Sequence, residues 1–281
     1  MKLAYIASAP GSGSTAFAQC LNSHPDVLAL SEFGLLLHND KSFHERLERT
    51  KLAPFATGVL RRPQFAEHRV RRSVGRLGGG GPGDRVAVAK VLASMTKRKR
   101  HVQVVIDKHP SLTPFFPCMS DRWPDMPMFH LVRDPMASVW SICRKWADVS
   151  DEEDRLRGPG FAWGPLLIRK ALNSPLHIRA AMQVAGCFAA MSKRPAVLLS
   201  YERWLESPID EMNAVYEVMG LPPLSPDAEL VSPPSTRGTG NWREEMPAQA
   251  QADAQAVLRT WSGYWPGLTR QDPGWERHAR R

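Results

Sequence analysis

Four short apolar runs, separated by segments of helical periodicity, constrain the fold of this chain more than any other feature. The runs are rich in aliphatic and β-branched residues and cover 3–7, 102–106, 128–132 and 196–199. Because their apolarity is continuous rather than alternating, they are typical of strands covered on both faces, as in a parallel sheet. The alternation of strand and helix therefore predicts an α/β domain of three layers, with a central parallel sheet flanked by helices.

Size and composition limit the remaining classes of protein. The chain has 281 residues, of which 43% are hydrophobic and 23% are charged, an ordinary globular composition that suits one substantial core. We therefore predict a single domain over 1–281. Four cysteines lack the spacing of metal ligands, so we expect free thiols and no metal site; they are Cys20, Cys118, Cys143 and Cys187.

No segment has the pattern of a secretory signal or of a membrane helix. The short apolar stretch at 3–9 runs directly into Pro10 and Gly11, which is too short for the apolar region of a secretory signal. The longest uncharged stretch, 180–192, is well under the ~20 residues that a membrane helix needs. We expect a cytoplasmic protein without a membrane partner.

Three helices carry clear signals in the sequence. Asp134-Pro135 and Ser207-Pro208 each place a capping residue directly before a proline, which is favoured at the first position of a helix. Apolar residues also keep helical spacing over 176–191. We predict a helix at each of these places.

Positive charge is concentrated in one segment. The net charge is +9, and residues 61–100 carry twelve Lys and Arg side chains against two carboxylates, with four glycines at 78–81. We interpret 61–100 as a basic, glycine-rich insertion in the domain and 263–281 as a loosely packed tail. The insertion has three interpretations: a solvated face, a surface for an acidic partner, or a nucleic-acid patch. The last is least favoured, because Phe65 is the only aromatic residue of the segment.

A turn of small residues joins the first predicted strand to a helix. A strand, a turn and a helix N-terminus of this kind direct backbone N–H groups and the positive end of the helix dipole at one point, which suits an anion. The lysine of a Walker A motif is missing, which argues against an ATPase or a GTPase. An anion site and an ordinary strand-to-helix turn both remain open from these residues alone. The candidates are Gly11, Ser12, Gly13, Ser14 and Thr15.

A second candidate anion site follows the run at 128–132. Arg133 stands directly after this predicted strand, and Ser141 lies seven residues beyond Asp134, two helical turns along on the same face. Both side chains can therefore reach one ligand, with charge-assisted hydrogen bonds worth about 1.5–3 kcal/mol each. The alternative is that Arg133 pairs with Asp134 or caps a neighbouring helix.

Six sequence patterns occur together in a fixed order between residues 5 and 243. With these patterns in this order, the chain resembles the sulfotransferases that use 3′-phosphoadenosine 5′-phosphosulfate (PAPS). The similarity is to the branch with a P-R-S-G-T-T loop and an S-H-P stretch, which is related to bacterial and tyrosylprotein-type sulfotransferases. The matching stretches are 10–15, 23–26 leading to 31–32, 107–110, 133–135 with Ser141, 200–202, and 235–238 running to 242–243.

The resemblance implies a fold, a reaction and a nucleotide site. The fold is P-loop-kinase-like, and the reaction transfers a sulfuryl group from PAPS to a hydroxyl or amine of a small-molecule or carrier-bound acceptor. In the family the first loop, here 11–15, holds the 5′-phosphosulfate, and the counterparts of Arg133 and Ser141 hold the 3′-phosphate. Tyr201 matches the family residue that lies near the adenosine. Arg237 and Gly238 match the family segment that closes over the 3′-phosphate.

One position departs from the family pattern. The family normally has Lys or Arg directly after the proline of the loop, whereas this chain has Gly11. That cation neutralises charge on the bridging oxygen as the sulfuryl group leaves, and losing one such donor typically costs about 2.7–4 kcal/mol. The family counterpart of Lys108 also points at the transferring sulfate, so Lys108 is the best local substitute.

The acceptor needs a base that removes its proton. Glu32 stands where the related branch carries its base and is the first candidate, with an ordinary surface glutamate as the alternative. His109 is the second candidate, although a loop histidine bonded to backbone is favoured over a catalytic role there. Because of Gly11, we also keep the hypothesis of a catalytically weak or silent protein that binds PAPS or its product. Nucleic-acid binding through 61–100 is a distant third.

Overall fold

The computed structural model describes residues 2–31, 102–110, 113, 124–147, 174–193, 196–234 and 241–264. The strands of this part are β1 (Lys2–Ser8), β2 (Val27–Ser31), β3 (Val104–Lys108), β4 (Met128–Val132) and β5 (Val197–Ser200). The helices are α1 (Ser14–Leu21), α2 (Pro135–Ala147), α3 (Leu176–Met191), α4 (Tyr201–Glu206), α5 (Pro208–Met219), α6 (Trp242–Glu245) and α7 (Ala248–Trp261), with a 3₁₀ turn at Ser262–Tyr264.

The five strands form one sheet in the order β2-β3-β1-β4-β5, and every neighbouring pair is parallel. The chain adds β2 and β3 on one side of β1 and then β4 and β5 on the other. The direction of strand addition therefore changes at β1, and in open α/β sheets ligands bind at the carboxyl ends of the strands beside such a switch point.

Helices cover both faces of the sheet. On one face, Tyr5 and Ala7 of β1 pack in a cluster with α2, α3 and α7. On the opposite face, Ile6 of β1 and Phe129 of β4 pack in a second cluster with α1 and α5. This arrangement confirms the predicted α/β domain of three layers with a central parallel sheet.

The predicted apolar runs correspond to four of the five strands, with shifts at their ends. The run at 128–132 coincides with β4, while β3 begins two residues later than the run at 102–106. Apolar periodicity did not predict β2. Residues 27–30 of β2 are nevertheless a continuous apolar run, as are residues 197–199 of β5 at the opposite edge of the described sheet.

The predicted helix starts differ in how they are capped. Asp134 caps α2, because its Oδ1 accepts a hydrogen bond of 2.8 Å from the N–H of Met136. Ser207 precedes Pro208 at the start of α5, as expected, but its side chain makes no capping hydrogen bond. The third predicted helix, over 176–191, is α3.

The thiols of the described residues are free, as the spacing of the cysteines predicted. Cys20, Cys143 and Cys187 are buried and form no disulfide. Burial raises the pKa of the Cys143 thiol to about 11 and raises the pKa values of the other two thiols as well. These three cysteines therefore act as small apolar side chains of the core.

Candidate active site

The described candidate residues lie at the carboxyl ends of four neighbouring strands. The first loop follows β1, Lys108 ends β3, Arg133 follows β4 and Tyr201 follows β5. Because the strands are parallel and adjacent, these ends share one edge of the sheet. The fold thus brings together residues that are as far apart in sequence as the first loop and Tyr201.

Two glycines shape the first loop. Gly11 has a φ of 76° and Gly13 a φ of 80°, the left-handed region that other residues adopt only at a cost. Gly13 is the N-cap of α1 and no side chain caps the helix there, so the N–H groups of its first turn are not used by a cap. The hydroxyl of Ser12 is buried and has no hydrogen-bond partner among the described residues. The loop therefore offers the donors of an anion site.

Helix α2 lies directly against this loop. A Cβ at Gly11 would be 2.5 Å from the carbonyl oxygen of Ser138 and 3.2 Å from the Cβ of Ser141. A side chain at Gly11 would thus overlap the backbone of the first turns of α2. The same contact brings the half-buried Ser141 beside the first loop.

The guanidinium of Arg133 contacts the loop from the end of β4. Its Nη1 donates a hydrogen bond of 2.8 Å to the carbonyl oxygen of Gly11, and its Cζ lies 4.5 Å from the centre of the Tyr201 ring. Burial lowers the pKa of Arg133, and the nearby Tyr201, Glu202 and Asp134 oppose that shift. Since the ordinary pKa of arginine is far above neutrality, Arg133 remains a cation. A buried cation thus lies against the backbone of the first loop.

Lys108 approaches the loop from the other side. Its side chain is completely buried, and Nζ donates a hydrogen bond of 2.8 Å to Oγ1 of Thr15 in the first turn of α1. The side chain points to the face of the sheet that α1 covers, because Lys108 pairs with Ile6, whose side chain packs on that face. The ammonium group therefore lies at the N-terminus of α1.

Tyr201 packs directly on the first loop. A Cβ at Gly13 would overlap Cε2 of the ring and would lie 2.6 Å from Cδ2, so only glycine leaves room for this contact. Burial raises the pKa of the Tyr201 hydroxyl, an effect that Arg133 opposes. The phenol is therefore protonated at neutral pH.

Glu202 is a residue of the site to which the sequence assigned no role. Its Oε1 accepts a hydrogen bond of 2.9 Å from the N–H of Asp134, and its Oε2 accepts one of 3.3 Å from the hydroxyl of Ser200. Burial raises the pKa of this carboxyl group. Glu202 joins the carboxyl ends of β4 and β5, and the S-Y-E match at 200–202 was the signal that pointed to it.

His109 lies next to Lys108 but is almost completely buried, with 2% of its surface exposed. Its carbonyl oxygen accepts a hydrogen bond of 2.7 Å from the hydroxyl of Tyr5 on the neighbouring strand. This contact fixes the backbone at the end of β3, directly after Lys108.

The S-H-P stretch after α1 anchors a distant part of the chain. Nδ1 of His24 accepts from the N–H of Asp26, so Nε2 carries the proton and donates to the carbonyl oxygen of Pro222 at 3.1 Å. The hydroxyl of Ser23 accepts a hydrogen bond of 2.9 Å from the N–H of Val231. This part of the sequence pattern stabilises the fold.

Several sequence predictions lie outside the described residues. They concern Glu32, Arg237 and Gly238, the basic segment 61–100, and the part of the tail from 265 to 281. Within the described ranges no group of three or more His, Cys, Asp or Glu side chains has the arrangement of a metal site. None of the helices in those ranges combines the length and apolarity of a membrane span.

A turn that depends on glycines, placed between the central strand of a parallel sheet and a helix N-terminus, defines a P-loop-like α/β fold. Comparison with known proteins then identifies the family. Residues 4–226 match the family model described as the Sulfotransferase family, and the chain belongs to this family. Membership makes the protein a transferase of sulfuryl groups. No curated protein matches the chain significantly.

Solved structures of sulfotransferases share the fold across nearly the whole chain. The sulfotransferase domain from the Synechococcus PCC 7002 olefin synthase is 17% identical, with a TM-score of 0.53 over 93% of this chain and 94% of that chain. The sulfotransferase domain from the curacin biosynthetic pathway is 14% identical, with a TM-score of 0.52 over 93% and 97%. A sulfotransferase from Alicyclobacillus acidocaldarius is 16% identical, with a TM-score of 0.51 over 99% of each chain.

Proposed function

We propose that the protein transfers the sulfuryl group of PAPS to a hydroxyl or amine of a small-molecule or carrier-bound acceptor. The observation that carries the proposal is the hydrogen bond of 2.8 Å between Nη1 of Arg133 and the carbonyl oxygen of Gly11. A nucleotide with phosphates on the 5′ and 3′ oxygens of its ribose requires two groups of donors. The bond joins the first loop to Arg133, which would supply one group each. Membership of the Sulfotransferase family supports the reaction.

The residues present fit such a nucleotide. The first loop would hold the 5′-phosphosulfate, because its buried Ser12 hydroxyl has no partner in the described part of the chain and its helix N-terminus is uncapped. Arg133 and Ser141 would hold the 3′-phosphate, with Tyr201 near the adenosine. Arg133 supplies a buried positive charge and a planar group with several N–H donors, one of which binds Gly11.

Sulfuryl transfer depends on positioning and on charge stabilisation more than on covalent help from the protein. When bound, PAPS supplies the sulfuryl group, which forms a bond to the acceptor atom as its bond to the 5′-phosphate oxygen breaks. The ammonium group of Lys108 would stabilise the negative charge that develops on that oxygen. Its hydrogen bond of 2.8 Å to Thr15 supports this role, because it holds the cation at the first turn of α1.

The acceptor gives up a proton during transfer, and two residues are candidates for the base that takes it. Glu32 is our first candidate, and its chain neighbour Ser31 pairs with Lys108 in the sheet. His109 is second, because only 2% of its surface is exposed and a buried ring has little access to an acceptor. Glu32→Gln should lower kcat by about 10²-fold or more while the affinity for the nucleotide product is kept. Unchanged turnover would move the role to another residue.

Calorimetric titration with 3′,5′-adenosine bisphosphate tests the nucleotide site directly. Arg133→Ala should weaken binding of the bisphosphate by about 10- to 100-fold and that of 5′-AMP much less, because only the former carries a 3′-phosphate. The control is Arg259→Ala, which removes an exposed arginine of α7. If the unmodified protein does not bind the bisphosphate at millimolar concentration, the proposal is wrong. Equal losses for the two nucleotides would mean that Arg133 has been misassigned.

A catalytically silent nucleotide-binding protein is the second candidate function, and Gly11 favours it. The two functions differ in one measurement, an untargeted search for labelled products in an extract that is supplied with labelled PAPS. Labelled products that disappear with Lys108→Ala would support the transferase. Tight binding of the bisphosphate without any product or PAPS hydrolysis would support the silent binder.

A further inference from the structure

The carboxyl group of Glu202 binds the backbone directly after Arg133. Its Oε1 accepts a hydrogen bond of 2.9 Å from the N–H of Asp134, which belongs to the peptide group that joins Arg133 to Asp134. Asp134 lies beyond the last pair of the β4–β5 ladder, Val132 with Ser200, so the ladder provides no acceptor for this N–H. Glu202 therefore continues the connection between the two strand ends where the ladder stops.

The side chain of Glu202 is itself held at the end of β5. It is 8% exposed, and its Oε2 accepts a hydrogen bond of 3.3 Å from the hydroxyl of Ser200. That hydroxyl also caps α4, because it accepts a hydrogen bond from the N–H of Arg203. Glu202 lies in the first turn of the same helix. The carboxyl group therefore has a defined position relative to the end of β5.

The peptide group that Glu202 binds determines where the side chain of Arg133 begins. Arg133 is the single residue between the end of β4 and Asp134, whose Oδ1 caps α2. A rotation of this peptide group would move the Cα of Arg133 and, with it, the guanidinium that binds Gly11. Binding groups must be held within about 0.5 Å of their productive positions, and residues behind them supply that restraint. Glu202 is placed to restrain Arg133 in this way.

We propose that Glu202 is a positioning residue that sets the preference of the site for a nucleotide with a 3′-phosphate. By holding the peptide group after Arg133, it places this cation where the 3′-phosphate binds. The inference rests on the proposed function, because it assumes that Arg133 binds the 3′-phosphate. It requires no contact between Glu202 and the nucleotide, since the carboxyl group acts through the backbone of Asp134.

Glu211 is a matched control for Glu202. Both carboxyl groups are buried, and each accepts a hydrogen bond from a backbone N–H at a strand end. Glu202 binds the N–H of Asp134 after β4, whereas Glu211 binds the N–H of Ser200 at the end of β5. Methionine has a similar volume to glutamate and is only a weak acceptor, while glutamine keeps an oxygen acceptor with the same reach. The variants thus separate the bond beside Arg133 from the loss of any buried carboxyl group.

The test measures the dissociation constants of 5′-AMP and of 3′,5′-adenosine bisphosphate for the full chain and its variants by calorimetry. The constant for 5′-AMP divided by that for the bisphosphate reports the contribution of the 3′-phosphate alone. Both nucleotides meet the same folded population, so this ratio does not depend on the fraction of folded protein. We expect Glu202→Met to lower the ratio at least tenfold, and Glu202→Gln and Glu211→Met to keep it within about threefold. If Glu202→Met does not fold, as judged by circular dichroism, Glu202→Asp, whose carboxyl group is one methylene shorter, takes its place with the same expectation.

Four results would overturn the inference. An unchanged or raised ratio in Glu202→Met would mean that Glu202 only supports the fold. A ratio lowered as much by Glu202→Gln would assign the effect to the charge of the carboxyl group, and one lowered as much by Glu211→Met would assign it to general loosening of the strand ends. In these three results the wild-type protein still binds the bisphosphate, so the proposed function stands. A wild-type protein that binds neither nucleotide would refute the proposed function and this inference with it.

Discussion

Replacing Gly11 by alanine should destabilise the fold more than the same change at another glycine of left-handed conformation. Gly11 and Gly220 have similar φ angles, 76° and 71°. Their surroundings differ, because a Cβ at Gly11 would be 2.5 Å from the backbone oxygen of Ser138. At Gly220 it would meet only Nζ of Lys2, the flexible end of a long side chain, at 2.9 Å. Gly220→Ala is therefore the matched control.

The magnitude follows from two contributions. A left-handed backbone costs an L-residue about 1–2 kcal/mol, and this cost applies at both positions. Alanine also reduces the entropy of the unfolded chain, an effect that is similar at both positions and cancels in the comparison. At Gly11 the new methyl group additionally forces α2 away from the loop, and such overpacking typically costs about 1–3 kcal/mol. We expect Gly11→Ala to lose about 1–3 kcal/mol more than Gly220→Ala.

Urea unfolding followed by tryptophan fluorescence and circular dichroism measures both losses. A difference between the variants below about 0.5 kcal/mol would refute the tight contact between Gly11 and α2. The contact has a consequence for function, because arginine at this position would carry the same Cβ. Gly11→Arg should therefore weaken nucleotide binding rather than restore the cation that the family has there.

Two further predictions concern stability. Burial lowers the pKa of His130 from 6.5 to about 4, so the unfolded chain takes up a proton in this range before the folded one does. The free energy of unfolding should fall by up to about 3 kcal/mol between pH 6.5 and pH 4, and His130→Gln should remove this part of the slope in urea titrations at each pH. Trp242→Phe removes the indole N–H that donates to Oδ2 of Asp134 at 3.0 Å and should cost about 1.5–3 kcal/mol. Trp140→Phe, whose indole donates to a solvent-exposed Glu245, should cost less; equal losses would contradict the importance of the bond to Asp134.

Most of the fold could be predicted because both faces of the sheet are covered. Strands in the middle of such a sheet must be apolar throughout, and this pattern is visible at 3–7 and 128–132 without any knowledge of contacts. The prediction missed β2, although its residues 27–30 form an apolar run as long as the one predicted at 196–199. Which strands are neighbours is decided by contacts that are distant in sequence, so the order β2-β3-β1-β4-β5 could not be read from local pattern.

The position of the candidate site was predictable, but its internal contacts were not. Ordered motifs placed Arg133 and Tyr201 at strand ends, and a parallel sheet brings such ends to one edge. The bond of Arg133 to Gly11 and the contact of Tyr201 with Gly13 depend on side-chain directions that no spacing encodes. The sequence presented Gly11 only as a missing cation, whereas the structure explains it as a position without space for a side chain.

Because Gly11 carries no basic side chain, Lys108 is the candidate cation that stabilises the leaving phosphate. Lys108 is completely buried, and taking an ammonium group out of water costs free energy that the apolar side chain of methionine, of similar volume, does not cost. Thr15, which accepts one hydrogen bond from Lys108, is exposed, so water can replace that bond. Lys108→Met should therefore leave the free energy of unfolding unchanged or raise it.

The same variant should lose catalysis if Lys108 stabilises the leaving phosphate. We expect Lys108→Met to lower kcat of sulfuryl transfer by about 10²–10³-fold, the usual effect of removing one donor to a developing charge. The affinity for 3′,5′-adenosine bisphosphate should change far less than kcat. Lys145→Met, at an exposed position of α2, is the control and should alter neither quantity. If Lys108→Met is clearly less stable but transfers sulfuryl groups at the normal rate, Lys108 is a structural residue. A buried cation that serves only the reaction gives the opposite result, which is unchanged or higher stability together with lost transfer.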